Sequence, residues 1–432
     1  MRRNIVFKGA SELSYEIREI VSVAHQFKDL GVDICWENIG DPIQKGTLIP
    51  KWMTSIISDL AQDSASYSYS PTKGILSTRE FLAKKVNSKG GVQITAEDIL
   101  FCNGLGDAIS KLYRYLDPSA RIIGPSPAYS THSSAEGSHA SQPPVTYKLD
   151  PENQWLPDMQ DLYHKIKQNP NIVGILIINP DNPTGIVYPP EVLKQFVAFA
   201  KEFNLFLLAD EVYTHITYNG KKALQLCEVV GDVPAISMKG ISKEFPWPGS
   251  RCGWLEFYNT DKEAEFLYLV NTLENAKMME VCSTTLPQLA IPKVMSHPNY
   301  LSHRQQLNDE IEVRANVVYE TLKEVKELIV NKTYGAFYTT IVFKEGYLTN
   351  HQSLKIEDNK RRELVEKLVQ STAMDKRFVY YLLAKTGICV VPISSFCSEL
   401  LGFRVTLLET NEEKLQWLYT TLKETIKEYL AS

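Results

Sequence analysis

The stretch IVGILIINPDNPTGIVYPPEVLKQFVAFAKEFNLFLLADEVY, residues 172–213, decides the fold. Its opening run IVGILII (172–178) and the later LFLLA (205–209) lack the alternation of a strand with one wet face. Between them, residues 190–203 repeat apolar positions at helical spacing, with proline at the first turn. Strand, helix and strand, with no polar face on either strand, point to a mainly parallel sheet covered on both sides. The pattern repeats outward. ILFC (99–102), residues 120–123, 235–238 and 253–257 read as further buried strands, and residues 105–116 and 159–167 as intervening helices.

The flanks read differently. Residues 12–30 predict one amphipathic helix closed by Gly31. Beyond residue 295 the expectation is a long helix over 304–328, short strands over 337–343 and 389–391, a polar loop and helix over 345–375, and a terminal helix over 412–430. These imply a smaller α+β domain beside the large α/β one. The boundaries expected are an N-terminal segment 1–48 serving the small domain and a substrate lid, a large domain 49–295, and a small domain 296–432. A ligand belongs in the crevice between the domains.

Composition narrows the function. The chain has 432 residues, 44% hydrophobic and 22% charged, which excludes disorder and a disulfide scaffold. A net charge of -5 leaves no basic surplus for a nucleic-acid backbone. Seven scattered cysteines without a CxxC pair read as reduced thiols of a cytoplasmic protein. The start does not read as a secretory signal, and no run approaches the ~20 apolar residues that span a bilayer. Eight histidines without HxH or HExxH spacing give no support to a metal site.

Chemistry concentrates at few places. KGISKEFPWPGSRCGW (239–254) sets Lys243 after small residues and before a Pro-Gly turn and Arg251. A buried lysine can lose its proton and attack a carbonyl, whereas most lysines are simply exposed. Asp210 closes an apolar strand, so its carboxylate points into the crevice; a helix N-cap is its plainer reading. CNGLG (102–106) joins a strand to a helix, where free N–H groups and the helix dipole cradle an anion. A bare Gly-x-Gly is ordinarily only a turn.

The ordered set NPDNPTG (179–185), DEVY (210–213) and SK (242–243), with Arg251 eight residues after the lysine, resembles the fold-type I pyridoxal-phosphate (PLP) aminotransferases of class I/II. The resemblance covers roughly residues 12–430. It follows the alanine-aminotransferase-like branch in LSYEIR around Tyr15, NIGDP around Gly40, EDILFCNG around Gly104, PSPAY around Tyr129, QWLPD around Leu156 and FRVTL around Arg404.

That resemblance implies a large domain with a seven-stranded, mainly parallel sheet and pyridoxal 5'-phosphate as cofactor. It implies that Lys243 bonds the cofactor and shuttles the substrate proton. Asp210 keeps the ring nitrogen protonated, as an electron sink requires. Asn182 and Tyr213 hydrogen-bond the ring hydroxyl, and Tyr129 stacks on the ring. Gly104, Leu105, Gly106, Ser242 and Arg251 hold the phosphate. Tyr69 reaches the phosphate of a neighbouring subunit, making a homodimer with a shared active site. Arg404, Gly40, Asn182 and Tyr15 bind the substrate, with Arg404 clamping its α-carboxylate.

The reaction implied is amino transfer between an L-amino acid and a 2-oxo acid by a ping-pong cycle, with alanine and 2-oxoglutarate the leading pair. Alternatives are a C–S β-lyase of the same fold and a non-catalytic PLP-binding regulator. Some positions depart from the family. Gly240 stands where many members have a phosphate-binding serine, His132 follows Tyr129 by three residues, and Pro246 and Trp247 replace polar residues. No second cation dedicated to a side-chain carboxylate stands out.

Overall fold

The computed structural model describes residues 5–13 and 18–432. A two-residue strand, β1 (Cys35–Trp36), precedes the main sheet. That sheet is built from β2 (Ile99–Cys102), β3 (Arg121–Ser126), β4 (Thr146–Asp150), β5 (Leu156–Pro157), β6 (Ile172–Ile178), β7 (Phe206–Asp210), β8 (Ala235–Gly240) and β9 (Gly253–Tyr258). Its order is β2-β9-β8-β7-β6-β3-β4-β5. The run β8-β7-β6-β3-β4 is parallel, and β9 lies antiparallel between β2 and β8. The seven strands expected are extended by β5, a two-residue edge strand that returns antiparallel on β4.

Burial on both faces explains the missing polar alternation. Along β7, Leu207 and Ala209 enter one apolar core while Leu208 and Phe206 enter another on the opposite face. Along β6, Ile175 and Ile177 divide from Leu176 and Ile178 in the same way. The helix Pro190–Phe203 turns Leu193, Phe196 and Ala200 into the first core, and Asn204 in the left-handed conformation ends it.

A third core joins the C-terminal residues to Ile20, Ala24 and Phe27. Its four-stranded antiparallel sheet has the order β10-β11-β14-β13, from β10 (Leu328–Val330), β11 (Tyr338–Phe343), β13 (Val391–Pro392) and β14 (Gly402–Thr406). Strand β1 pairs in parallel with β12 (Ile388–Cys389), which ties the N-terminal part to this C-terminal core.

The flanking helices differ from expectation in two places. The long helix spans Tyr300–Leu322 rather than 304–328, because Leu328 leaves the helix to pair with Phe343 in the sheet. The single helix expected over 12–30 is realised as Glu19–Asp29, with a separate 3-10 turn at Lys8–Glu12. That turn docks on the helix Ser130–Ala140 so closely that a Cβ on Gly9 would meet the Ser138 carbonyl oxygen at 1.7 Å. Of the expected helix, Glu12 lies in this turn and Leu13 has left helical geometry. Tyr15 lies outside the described residues.

Candidate active site

Strand order alone aligns the candidate residues along one edge of the sheet. Asp210 ends β7 in register with Ile178 of β6 and Met238 of β8. Gly240, the end of β8, faces Gly253 at the start of antiparallel β9, and Gly253 faces Cys102, the end of β2. The loops leaving this edge therefore carry Gly104, Arg251, Lys243, Asp210, Asn182 and Tyr129 in spatial sequence. This is the strand-end crevice at which open α/β sheets bind ligands.

The loops enclose a cavity of about 480 Å³ whose walls include Lys243, Asp210, Tyr213, Asn182 and Tyr129. Lys243 Nζ donates to the Gly40 carbonyl oxygen at 2.8 Å. His132 Nε2 lies 3.1 Å from Asp210 Oδ2, while Asp210 Oδ1 accepts from the Val212 amide at 3.2 Å. The Tyr213 hydroxyl is 3.1 Å from that of Tyr338, and burial pushes the Tyr213 phenol well above its ordinary range.

Arg404 comes from the smaller sheet. It sits opposite Thr340 on β11 and is 3% exposed. Its Nη1 donates to Asn182 Oδ1 at 3.2 Å and its Nη2 to the Asn38 carbonyl at 2.8 Å. The guanidinium lies 4.4 Å over the Tyr338 ring and 5.0 Å from the Phe396 ring. Gly40 is a steric necessity here: a Cβ would come within 2.1 Å of the Tyr338 hydroxyl.

At the other end of the cavity a helix starts at Leu105, after Gly104 at φ +83°. Leu105, Gly106 and Ser242 line the wall, and a helix start leaves its first N–H groups without intrahelical acceptors. A Cβ on Gly104 would stand 2.6 Å from Arg251 Nη2, so glycine lets this cation close on the helix start. A forked cation over free backbone donors suits a phosphate. Lys243 offers an amine for the cofactor aldehyde, Asp210 a carboxylate for a ring nitrogen, and Asn182 and Tyr213 polar groups for a ring hydroxyl. These residues fit pyridoxal 5'-phosphate.

Tyr69 is 83% exposed and does not line the cavity of its own chain. Sequence reasoning missed other residues. His132, noted only as a departure, is buried against Asp210. Tyr338 joins Tyr213 to Arg404, and its motif YGAFYTT offered no signal beyond a buried strand. Arg18 lines the cavity, adding a cation that sequence reasoning had not identified. Pro246 and Trp247 stay outside it, with Trp247 packed against the large core.

Fold and cofactor chemistry together define a pyridoxal-phosphate-dependent enzyme of fold type I. The family model for aminotransferase class I and II matches residues 38–422. The chain is 56% identical to an uncharacterized aminotransferase of Methanocaldococcus jannaschii over 100% of both chains. It is 28% identical to the glutamate-pyruvate aminotransferase of Escherichia coli, over 75% of this chain and 79% of that one. The fold matches the alanine aminotransferase of Pyrococcus furiosus with a TM-score of 0.85 at 24% identity, covering 98% of this chain and 100% of the other. The chain belongs to the class I and II aminotransferases and is a pyridoxal-phosphate-dependent aminotransferase.

Proposed function

We propose that this aminotransferase moves the amino group of alanine, or another neutral L-amino acid or glutamate, to a 2-oxo acid in a ping-pong cycle. Alanine and 2-oxoglutarate form the leading pair. The observation that carries the reading is Arg404, a buried guanidinium held by Asn38 and Asn182 over Tyr338 in the same cavity as Lys243. A planar cation so held suits a bidentate α-carboxylate. Arg18, lining the same cavity, offers a second positive charge to the distal carboxylate of glutamate or 2-oxoglutarate. The activity named for the Escherichia coli relative supports this pair.

Pyridoxal phosphate, when bound, supplies an aldehyde that takes the amino group and a cationic ring that draws electrons from the α-carbon. Asp210, braced by His132, keeps the ring nitrogen protonated. Lys243 would attach the cofactor and, as a free amine, would carry the proton between the substrate α-carbon and the cofactor. Asn182 and Tyr213 hold the ring hydroxyl, and Tyr129 covers the ring face. Gly104, Leu105, Gly106, Ser242 and Arg251 hold the phosphate. Gly40 lets the substrate carboxylate approach, and the family resemblance adds Tyr15 to the substrate-binding set.

The division we propose is a large domain 49–295 and a small domain formed by 1–48 and 296–432. The working unit is a homodimer in which Tyr69 reaches the partner's cofactor phosphate, in keeping with its exposure on a single chain. Among the described residues no helix is long and apolar enough to cross a membrane. We place the enzyme in the cytoplasm, without a membrane or nucleic-acid partner.

The test is a screen of amino donors against 2-oxoglutarate and pyruvate. Alanine with 2-oxoglutarate should give the highest kcat/KM, with no ammonia released. Steady ammonia release from a sulfur amino acid, without amino transfer, would reject the reading in favour of a β-lyase.

A further inference from the structure

A second cavity, of about 260 Å³, has Glu211 and Glu244 in its wall, the residues that follow Asp210 and Lys243. Its polar wall is largely self-satisfied. Lys239 Nζ lies 2.7 Å from both Glu211 Oε2 and Gln225 Oε1. Glu256 accepts from Trp254 Nε1 at 2.9 Å and from the Tyr258 hydroxyl at 2.6 Å. Glu244 Oε1 accepts from the His215 amide at 2.9 Å.

The remaining basic residues are different. Lys85, Lys89 and Arg304 converge on this cavity, and among the described residues none of the three has an ion-pair partner. Lys85 and Arg304 lie instead over the rings of Phe81 and Tyr300, at 5.4 and 5.6 Å. Burial, then repulsion by Arg304 and Lys89, holds the Lys85 ammonium below the ordinary lysine range, with Glu244 opposing. Lys85 and Lys89 are exposed, so solvent screens part of this repulsion, and the Glu244 carboxylate in the same wall offsets some of the rest.

Tyr300 adds an independent observation. It lines the cavity and is 3% exposed, and its hydroxyl, approached by the Arg304 guanidinium, finds no acceptor. Buried hydroxyls are normally paired, because leaving one unpaired is costly. Arg304 beside it can only donate, so the hydroxyl proton lacks an acceptor.

We propose that this second cavity binds a small oxyanion of at least two negative charges, held by Lys85, Lys89 and Arg304 and accepting a hydrogen bond from Tyr300. Phosphate and carboxylate groups share the required chemistry. The site is separate from the cofactor phosphate site, which lies at Leu105, Gly106 and Arg251. Glu244 and Arg304 also line a small space of about 30 Å³ whose wall includes Lys243. The proposal does not depend on which amino acid is the donor.

The test is calorimetric titration of the pyridoxal-phosphate-loaded enzyme, at constant ionic strength, with inorganic phosphate and separately with citrate. At least one should bind saturably, and the responding arm identifies the ligand class. In Lys85→Gln/Lys89→Gln that binding should weaken about tenfold or more, the scale of losing charge-assisted contacts. Arg304→Gln, a change on a different helix, should weaken it likewise, while the cofactor absorbance of both variants stays unchanged. Absence of saturable binding by both probes, or equal affinity in wild type and variants, would overturn the proposal.

Discussion

His132 Nε2 lies 3.1 Å from Asp210 Oδ2, a contact between residues 78 positions apart. Both side chains are buried, and the other Asp210 oxygen is engaged by the Val212 amide. The carboxylate is thus held from two sides, which fixes its orientation in the cavity, as the proposed pairing with a cofactor ring nitrogen requires. His132→Ala should lower kcat about 10- to 100-fold, the scale of losing one hydrogen bond to a charged group, while the cofactor stays bound. His132→Asn should recover part of the loss. Steady-state kinetics with absorbance spectra check this, and a wild-type kcat for the alanine variant would remove the positioning role.

Lys243 is the only described lysine lining the main cavity. Lys243→Ala should hold the cofactor weakly and lose turnover by at least the ~10²–10⁴-fold of a lost general base. Borohydride reduction of the wild type followed by peptide mapping should tag residue 243. A tag elsewhere would end the assignment.

Arg404 touches both Asn182 and the Asn38 backbone, so its replacement disturbs more than one contact. The dominant effect expected of Arg404→Ala is a rise in KM for the amino acid of about 10- to 100-fold, with a smaller change in cofactor affinity. An unchanged KM would reject the clamp.

Burial raises the Glu244 carboxyl from its ordinary range to about 7; Arg304, the His215 amide, Lys239 and Lys89 oppose the shift in that order. A carboxyl whose folded pKa lies above its unfolded value binds more protons when folded. Its contribution is therefore favourable at low pH and is lost as pH rises from about 4.5 through about 7. Glu244→Gln keeps an acceptor for the His215 amide but removes this loss. Its melting temperature relative to wild type should rise between pH 5 and pH 8; a constant difference across that range counts against the buried titration.

The proposed dimer predicts a solution mass twice the 49.0 kDa of one chain. Light scattering at micromolar protein should show it. Tyr69→Ala should weaken cofactor binding although Tyr69 does not line the cavity of its own chain. A monomeric enzyme with full activity would refute the shared site.

Much of the sheet was legible because its strands are buried on both faces. Leu207 and Leu208 enter opposite cores, so neither alternate position of β7 could be polar. Asp210, Lys243 and Arg251 were legible because charged residues stand out at the ends of such runs. The described helix begins at Glu19 rather than at residue 12, and the turn at Lys8–Glu12, with Gly9 against Ser138, is invisible to local periodicity. The end of the long helix at Leu322 likewise depends on Leu328 pairing with Phe343.

By itself the sequence determined which segments must avoid water and which residues have the chemistry for a phosphate-bearing aldehyde cofactor. Hydropathy and side-chain chemistry are local properties, carried by each residue wherever the chain goes. Only the tertiary structure decided that His132 braces Asp210, that Tyr338 links Tyr213 to Arg404, and that Lys85, Lys89, Arg304 and Tyr300 surround one cavity. Those relationships arise where distant segments dock, and their geometry depends on the packing of whole cores rather than on any short run of residues.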